Sequence, residues 1–236
     1  IRDVSESRGL GDVYKSQRQM TREFIGGEDI MDFRYWSGNL GSLIKLHLDT
    51  CFPIEFMVKE FDLEGKLETK ATYGNIQLGD SGSTRFMQSG YRFYDRHGER
   101  FAVISSRDQD GDQRLVFIST TEGRALELLD ELEDDFYANG PLNGAFFDMT
   151  YNFIKRSEMV DDLLAWNPDI RSQLQKDVLD FLKVMPILNE RGLPNSRGII
   201  LSGAPGTGKT MYAKSLAAEA NTTTILISAE MIQQRH

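Results

Sequence analysis

The residues best suited to bind a ligand or take part in a reaction form one glycine-rich stretch near the C-terminus of the chain. Residues 203–210 read GAPGTGKT, a full match to the pattern G-x-x-x-x-G-K-[ST]. Glycines in such a loop let main-chain N–H groups approach a phosphate that a side chain would keep away. The lysine adds a mobile positive charge, and the hydroxyl after it can ligate Mg²⁺. The stretch therefore predicts a binding site for the phosphates of a nucleotide.

The segments around this loop predict the elements that position it. Residues 198–201 are a short apolar run that leads into the loop, typical of a buried parallel strand. Good helix formers follow from Lys209, and Asn221 can end that helix. Residues 223–227 predict a second strand. The N-terminus of such a helix would direct unpaired N–H groups and the positive end of its dipole at the phosphates.

The approach to the loop resembles that of AAA+ ATPases. Residues 191–194 (RGLP) and 197–201 (RGIIL) are similar to the segment that precedes the loop in that family. Residues 160–163 look like the family's short segment that packs along the adenine, so the resemblance makes Asp162 and Leu163 candidate adenine contacts. The resemblance covers residues 158–232.

A helix is also predicted before the loop strand, where the AAA+ family has one. Asn167 and Pro168 are typical of an N-cap and a first helical residue. An apolar stripe then predicts a helix over residues 169–185 that ends near Pro186.

The resemblance implies a fold class and an activity. It implies an α/β P-loop NTPase domain of the AAA+ type, incomplete within this sequence, preceded by an α+β N-terminal domain with an antiparallel β meander. A β-rich domain before such a module is loosely similar to the subgroup that contains the mitochondrial Rieske-protein assembly chaperone. AAA+ proteins hydrolyse ATP with Mg²⁺, form homo-oligomeric rings, usually hexamers, and remodel or translocate proteins. The expected partners are therefore ATP, a protein substrate or adaptor, and further copies of the full-length chain.

The predicted nucleotide-binding residues of the loop are Gly203, Ala204, Pro205, Gly206, Thr207, Gly208, Lys209, Thr210 and Met211. Lys209 is the predicted catalytic residue because its amine can reach the β- and γ-phosphates, and Thr210 is the predicted metal ligand. Hydrolysis also needs an acid for Mg²⁺ and an arginine for the γ-phosphate, which the family places on later strands and on the adjacent subunit. We therefore expect this chain alone to bind ATP without hydrolysing it.

Two other functions fit the loop. A P-loop kinase would transfer the γ-phosphoryl group to a small molecule, but such kinases usually begin with the loop strand, whereas a long helix precedes it here. A nucleotide-regulated interaction module would bind ATP without turnover. Downstream residues, above all an apolar strand ending in Asp-Glu, would distinguish these functions from an ATP-driven motor.

The N-terminal half predicts mainly β structure. Residues 54–58, 91–94, 100–104 and 115–118 predict short strands, with turns at 95–98 and 108–112. Residues 38–50 fit either a strand or a helix. A helix is predicted over residues 125–136 from its apolar stripe, and its acidic side predicts a solvated face, with a partner-docking surface as the alternative.

Composition limits the remaining possibilities. The 236 residues carry a net charge of −9, which makes nucleic acid an unlikely partner, and no apolar run is long enough for a membrane-spanning helix. The single cysteine, Cys51, is expected in the core and fits a reducing, cytoplasmic location.

Residues 1–19 resemble translated adapter sequence, with an ordinary polar tail as the alternative. The predicted domains are 20–150 (α+β) and 151–236 (the N-terminal part of the ATPase domain).

Two further sets of polar residues predict no site. His47 and His97 lack companions at metal-ligand spacing, so both are expected to be surface or turn histidines. Residues 108–112 (DQDGD) suggest a calcium loop, but the glycine comes too early and no downstream glutamate completes it. A hairpin turn is the better interpretation.

Overall fold

The computed structural model of the protein describes residues 17–63, 70–108, 110–156 and 167–233. They form two compact units. The first contains the described residues of Ile1–Leu78, Gly82–Asn143 and Thr150–Asn152, and the second those of Gly79–Ser81, Gly144–Met149 and Phe153–His236. The units thus divide the chain a few residues before the predicted limit at 150. None of the described helices is long and apolar enough to cross a membrane.

The first unit is built on an antiparallel sheet. Its strands are β1 (Ile30–Trp36), β2 (Met57–Phe61), β3 (Thr72–Gln77), β4 (Ser83–Arg96), β5 (Glu99–Arg107) and β6 (Gln113–Ser119). The order across the sheet is β1-β6-β5-β4-β2, and β3 pairs with another part of β4. The meander predicted from the turns at 95–98 and 108–112 is therefore confirmed, while β1 and β3 were not predicted.

Helices cover both faces of this sheet. They are α1 (residues 17–25), α2 (Gly38–Cys51) and α3 (Arg124–Asn139). Phe24 of α1 stacks on Phe93, with ring centres 4.5 Å apart, whereas Phe52 at the end of α2 contacts Tyr94. Because neighbouring strand residues point to opposite faces, α1 and α2 lie on opposite sides of β4. Helix α3 packs beside α2.

The structure corrects several sequence-based expectations for the first unit. The ambiguous segment 38–50 is helical, and residues 54–56 form a 3₁₀ turn before β2 rather than strand. His47 is wrongly predicted as a surface residue: it is 3% exposed, and its Nε2 lies 2.7 Å from Asp135 Oδ2. An imidazole fits a core when one of its ring nitrogens has a polar partner, which spacing alone does not reveal. His97 does lie exposed in the β4–β5 turn, with φ +55°.

Two further expectations concern the ends of the first unit. The tail set aside as residues 1–19 overlaps α1, where Gln17 is 6% exposed and accepts a hydrogen bond from Tyr91 at 3.2 Å. The acidic side of α3 is not simply solvated, because Glu131 pairs with Arg96 and Asp130 with Arg34. These pairs attach α3 to the sheet.

The second unit is an α/β arrangement. Its elements are β7 (Phe146–Asp148), α4 (Pro168–Gln175), a π-helical segment (Lys176–Asp180), α5 (Phe181–Glu190), α6 (Lys209–Glu219), β8 (Thr224–Leu226) and α7 (Ala229–Gln233). Strands β7 and β8 pair in parallel. The expected helix after the loop and the strand near residues 223–227 are present.

The strand predicted at residues 198–201 is absent, so that prediction is wrong for this structure. Ile199 is 40% and Ile200 93% exposed. A strand needs a neighbour for its main-chain N–H and C=O groups, and none of the described strands pairs with this run. Apolar composition alone therefore did not determine its structure. Ile225 and Ile227 at β8 are likewise 54% and 55% exposed.

The helix before the loop extends further than predicted. The Asn167 side chain accepts the N–H of Asp169 at 2.9 Å, so the N-terminal prediction is confirmed. The helix nevertheless continues past Pro186 to Glu190. Proline withholds only its own N–H, and residues after it still donate to the preceding turn. The structure ends the helix instead at Gly192, whose φ is +63°.

Candidate functional site

The predicted phosphate loop is an irregular segment that ends at the first turn of α6. Gly206 has φ +78° and Gly208 has φ +83°, backbone conformations that favour glycine. A side chain at Gly206 would meet no atom within 4 Å, so the strained backbone rather than crowding requires glycine there. The space beside Gly206 is therefore open to a ligand.

The N-terminus of α6 carries a partial positive charge that no acidic residue of its first turn neutralises. Gly208 is its N-cap, and the first turn contains no acidic residue. The first helical hydrogen bond runs from Tyr212 N to Gly208 O, at 2.9 Å. The N–H groups of the three residues between them therefore have no partner within the helix. This end of the helix is suited to an anion.

The Lys209 ammonium lies against the loop. Its Nζ is 2.9 Å from Gly203 O and 2.7 Å from Ala204 O. Thr207 Oγ1 also donates to Ala204 O, at 2.8 Å, which closes the loop on itself. The positive charge is thus held beside the main chain that the sequence predicts to hold phosphate. Thr210 and Met211 follow on the exposed start of α6.

A cavity of about 630 Å³ adjoins the loop. One wall is mainly apolar and comes from α4, the run before the loop, and α6; its residues are Ile170, Leu174, Ile200, Leu201 and Tyr212. Lys209 and Thr207 line the same cavity, and Asp169 is the one acid among its lining residues that the structure describes. This volume lies in the usual range for small-molecule sites. Sequence analysis did not identify Ile170, Leu174 or Tyr212, because an apolar stripe on a helix equally predicts core packing.

Arg156 is a further residue that sequence analysis missed. Its guanidinium contacts carbonyls at the C-terminal end of α6, including Ala217 O and, at 3.2 Å, Ala218 O. It also donates to Gly144 O at 3.1 Å and Thr222 O at 2.6 Å. A cation at this end neutralises the negative pole of the helix that begins at the loop. The sequence gives no signal for it, since all four partners are main-chain atoms.

The structure brings most of the predicted site residues together. Residues 203–211 form one continuous loop and helix start, whereas Asp162 and Leu163 lie outside the described residues. Within the described ranges, no group of three or more His, Cys, Asp or Glu side chains is placed to hold a metal ion. The Thr210 hydroxyl fits Mg²⁺ as a single oxygen ligand, the other positions being those that phosphates and water usually fill.

Comparison with known proteins matches part of this region. Residues 199–235 match the family AAA, the ATPase family associated with various cellular activities. The chain is similar to an ATP-dependent zinc metalloprotease FtsH of Metamycoplasma arthritidis, 39% identical over 66 residues, and to spastin of Sus scrofa, 41% identical over 91 residues. It is also similar to a proteasome-associated ATPase of Acidothermus cellulolyticus, 28% identical over 141 residues.

These similarities are local. They cover 28%, 36% and 52% of this chain, respectively. The chain spans only 9%, 15% and 23% of the length of the same relatives. The match to the family begins just before the loop and contains α6 and β8, so it coincides with the predicted phosphate site.

Proposed function

We propose that residues 203–210 bind the phosphates of ATP and that the protein is part of an ATPase of the AAA type. The observation that carries the proposal is the geometry of the loop. The Lys209 ammonium, the unpaired N–H groups of the first turn of α6, and the open space at Gly206 all lie in this one segment. A phosphate chain is the ligand that uses all three features.

Each residue then has a defined task. Lys209 exchanges its contacts with Gly203 O and Ala204 O for phosphate oxygens, and the N–H groups at the start of α6 donate to the same anion. Thr210 offers its hydroxyl to Mg²⁺, which when bound neutralises charge on the phosphates. Asp162 and Leu163 remain proposed adenine contacts. The mainly apolar wall of the neighbouring cavity suits the less polar part of the ligand.

In the full-length protein, we propose, hydrolysis drives remodelling or translocation of a protein by a homo-oligomeric ring. Support comes from the AAA match at residues 199–235 and from the similarity to a proteasome-associated ATPase and to spastin. Hydrolysis would also need an acid to hold Mg²⁺, a group to orient the attacking water, and an arginine beside the γ-phosphate. Among the described residues lining the cavity, Asp169 and Lys209 are the only charged side chains. The chain alone is therefore expected to bind ATP with little or no release of phosphate.

Calorimetric titration with Mg·ATP tests the site. Lys209→Ala removes the cation beside the loop and should weaken binding at least tenfold, about 1.4 kcal/mol. Lys214→Ala is the matched control, because it removes a lysine from the same helix outside the loop. Thr210→Ala should mainly abolish the dependence of binding on Mg²⁺. Equal affinities of wild type and Lys209→Ala would contradict the proposal.

A phosphate-release assay separates the proposed activities. Turnover by this chain that Lys209→Ala abolishes would show that no further acid or arginine is required. Transfer to a small-molecule hydroxyl instead of water would identify a kinase.

A further inference from the structure

Strand β1 at the edge of the first unit has three apolar side chains on its exposed face, whereas its charged side chains lie on the less exposed face together with Ile30 and Trp36. Arg34 faces α3, where it pairs with Asp130 and Glu133. On the opposite face, Met31, Phe33 and Tyr35 are 38%, 51% and 47% exposed. Three large apolar residues in one exposed row differ from the single exposed apolar residues that are ordinary on a protein surface.

The strand register shows why this row is exposed. Tyr35 lies opposite Arg114 of β6, and Phe33 lies opposite Val116. Helix α1 packs on the inner part of this face, where Val116 is only 3% exposed. Between α1 and the row lies a cavity of about 210 Å³, lined by Met31 and Arg114 on the sheet and by Gln17 and Thr21 on α1. We call the cavity and the row of Met31, Phe33 and Tyr35 the β1 groove.

Arg114 gives the β1 groove a positive charge that no acidic side chain neutralises within the part of the chain that the structure describes. Its guanidinium carbon lies 4.7 Å from the centre of the Phe33 ring and 5.5 Å from that of Tyr35. Its Nε is buried and has no hydrogen-bond partner in the described part of the chain. Asp29, the acid that lines the same cavity, already binds Arg18 and Arg22. Because this Nε is covered, an acceptor from outside would pair with the terminal NH2 groups of the guanidinium, and the strongest acceptor for a guanidinium is a carboxylate.

We propose that the β1 groove binds an extended segment of a partner protein in which a carboxylate is flanked by apolar side chains. The carboxylate pairs with Arg114, and the apolar side chains pack on Phe33 and Met31. Alternate side chains along a strand are about 6.6 Å apart, so the exposed row of β1 has the spacing of an extended peptide. A cavity of about 210 Å³ accommodates one large side chain.

The proposed contact is with the face of β1 rather than with its edge. Inward-pointing charges such as Arg34 are a device that discourages the addition of another strand to an edge. The local positive charge of Arg114 favours an acidic side chain at this point of the surface, in contrast to the net charge of −9 on the chain as a whole. The choice of a protein as partner rests on the proposed function, whereas the site itself lies wholly in the first unit.

Fluorescence polarisation with labelled peptides tests this proposal in the full chain without nucleotide. One eight-residue peptide contains a glutamate flanked by phenylalanine and leucine, and the other contains glutamine in place of the glutamate. The wild type should bind the glutamate peptide about tenfold more tightly, because only that peptide pairs with Arg114. Arg114→Gln should abolish this preference, and Phe33→Ser should weaken binding of both peptides.

The control variant is Arg85→Gln, which removes an exposed arginine that, like Arg114, lies over an aromatic ring, 3.9 Å from the centre of Tyr73. It should retain the preference, and melting curves of all variants establish that they fold. Equal binding of the two peptides, or a preference that persists in Arg114→Gln, would overturn the proposal. So would wild-type dimers that bind neither peptide and that Phe33→Ser separates, because the face would then belong to a second copy. The peptide experiments contain no nucleotide. A negative result for the β1 groove therefore has no bearing on the Mg·ATP titration of Lys209→Ala.

Discussion

At the scale of single residues, Lys45 and Lys209 show how the surroundings of a lysine determine its role. Lys45 of α2 is 1% exposed, and its Nζ donates to Gln88 O, Ser106 O and Gln113 Oε1 at 2.9, 2.7 and 2.7 Å. Lys209 also donates to carbonyls, but at an open loop whose α-helical end attracts anions. The first lysine holds a core together. The second can release its carbonyls for a ligand.

Lys45 should make the stability of the first unit depend on pH. Burial, with repulsion from Arg107, lowers the pKa of Lys45 from 10.5 to about 7. Above pH 7 the unfolded chain therefore binds more protons at this site than the folded one, so stability rises with pH. Urea unfolding followed by Trp36 fluorescence in a Trp166→Phe background should show a slope approaching about 1.4 kcal/mol per pH unit between pH 7.5 and 8.5.

The Cys51 thiol limits the pH range of this experiment, and a substitution of Lys45 provides the control. Burial, with the charges of Glu131 and Asp135, raises the pKa of the Cys51 thiol from 9 to about 12. Above pH 9 the unfolded chain loses a thiol proton that the folded chain keeps, so this term offsets the gain from Lys45 and the rise in stability should level off. Lys45→Met keeps an unbranched side chain, one atom shorter, and removes the charge. A slope between pH 7.5 and 8.5 that is the same in this variant would refute the assignment to Lys45.

At the scale of elements, the end of α5 depends on one glycine rather than on the proline inside the helix. The N–H of Leu193 bonds to Leu188 O at 2.9 Å, and that of Gly192 to Asn189 O at 3.0 Å. With Gly192 in a left-handed conformation, these two bonds form a Schellman motif. Pro194, which cannot continue a helix, follows two residues after Gly192. The stop signal therefore lies within residues 191–194, part of the segment that resembles the one before the loop in AAA+ ATPases.

Gly192→Ala should therefore lower the free energy of unfolding of the second unit by about 1 kcal/mol, because alanine is strained at φ +63°. Differential scanning calorimetry of the full chain measures the effect on the transition of that unit. Gly198→Ala is the matched control: its φ is not in the left-handed region, and an added Cβ would meet nothing within 4 Å. Equal melting of the two variants would mean that the motif does not stabilise the helix end.

At the scale of the whole molecule, the chain forms two compact units that should also be separate folding domains. Limited proteolysis should cut first within residues 138–158 and leave a stable N-terminal fragment. The unit boundary at Asn143 and Gly144 falls inside that range. A first cut within residues 91–118 would contradict the division, because β4, β5 and β6 lie there.

The sequence predicts elements well where local signals agree and poorly where distant contacts decide. The meander has turn residues and alternation, and the loop has a complete motif, so both follow from the sequence. The inverted strand β1 does not, because its inward arginine depends on acids of α3 about a hundred positions away. Residues 198–201 show the opposite error, since an apolar run predicts a strand only when a neighbour is available to pair with it.

The pairing of β7 with β8 has a consequence for the order of folding. Phe146 pairs with Thr224, whereas the β4–β5 hairpin closes between Arg96 and Glu99. The first pairing must close a chain segment that contains the entire phosphate loop, and loop closure becomes slower and entropically costlier as the segment lengthens. During synthesis β7 leaves the ribosome long before its partner exists. The meander can therefore fold while the proposed ATP site is still being translated, and a folding delay would affect that proposed site first.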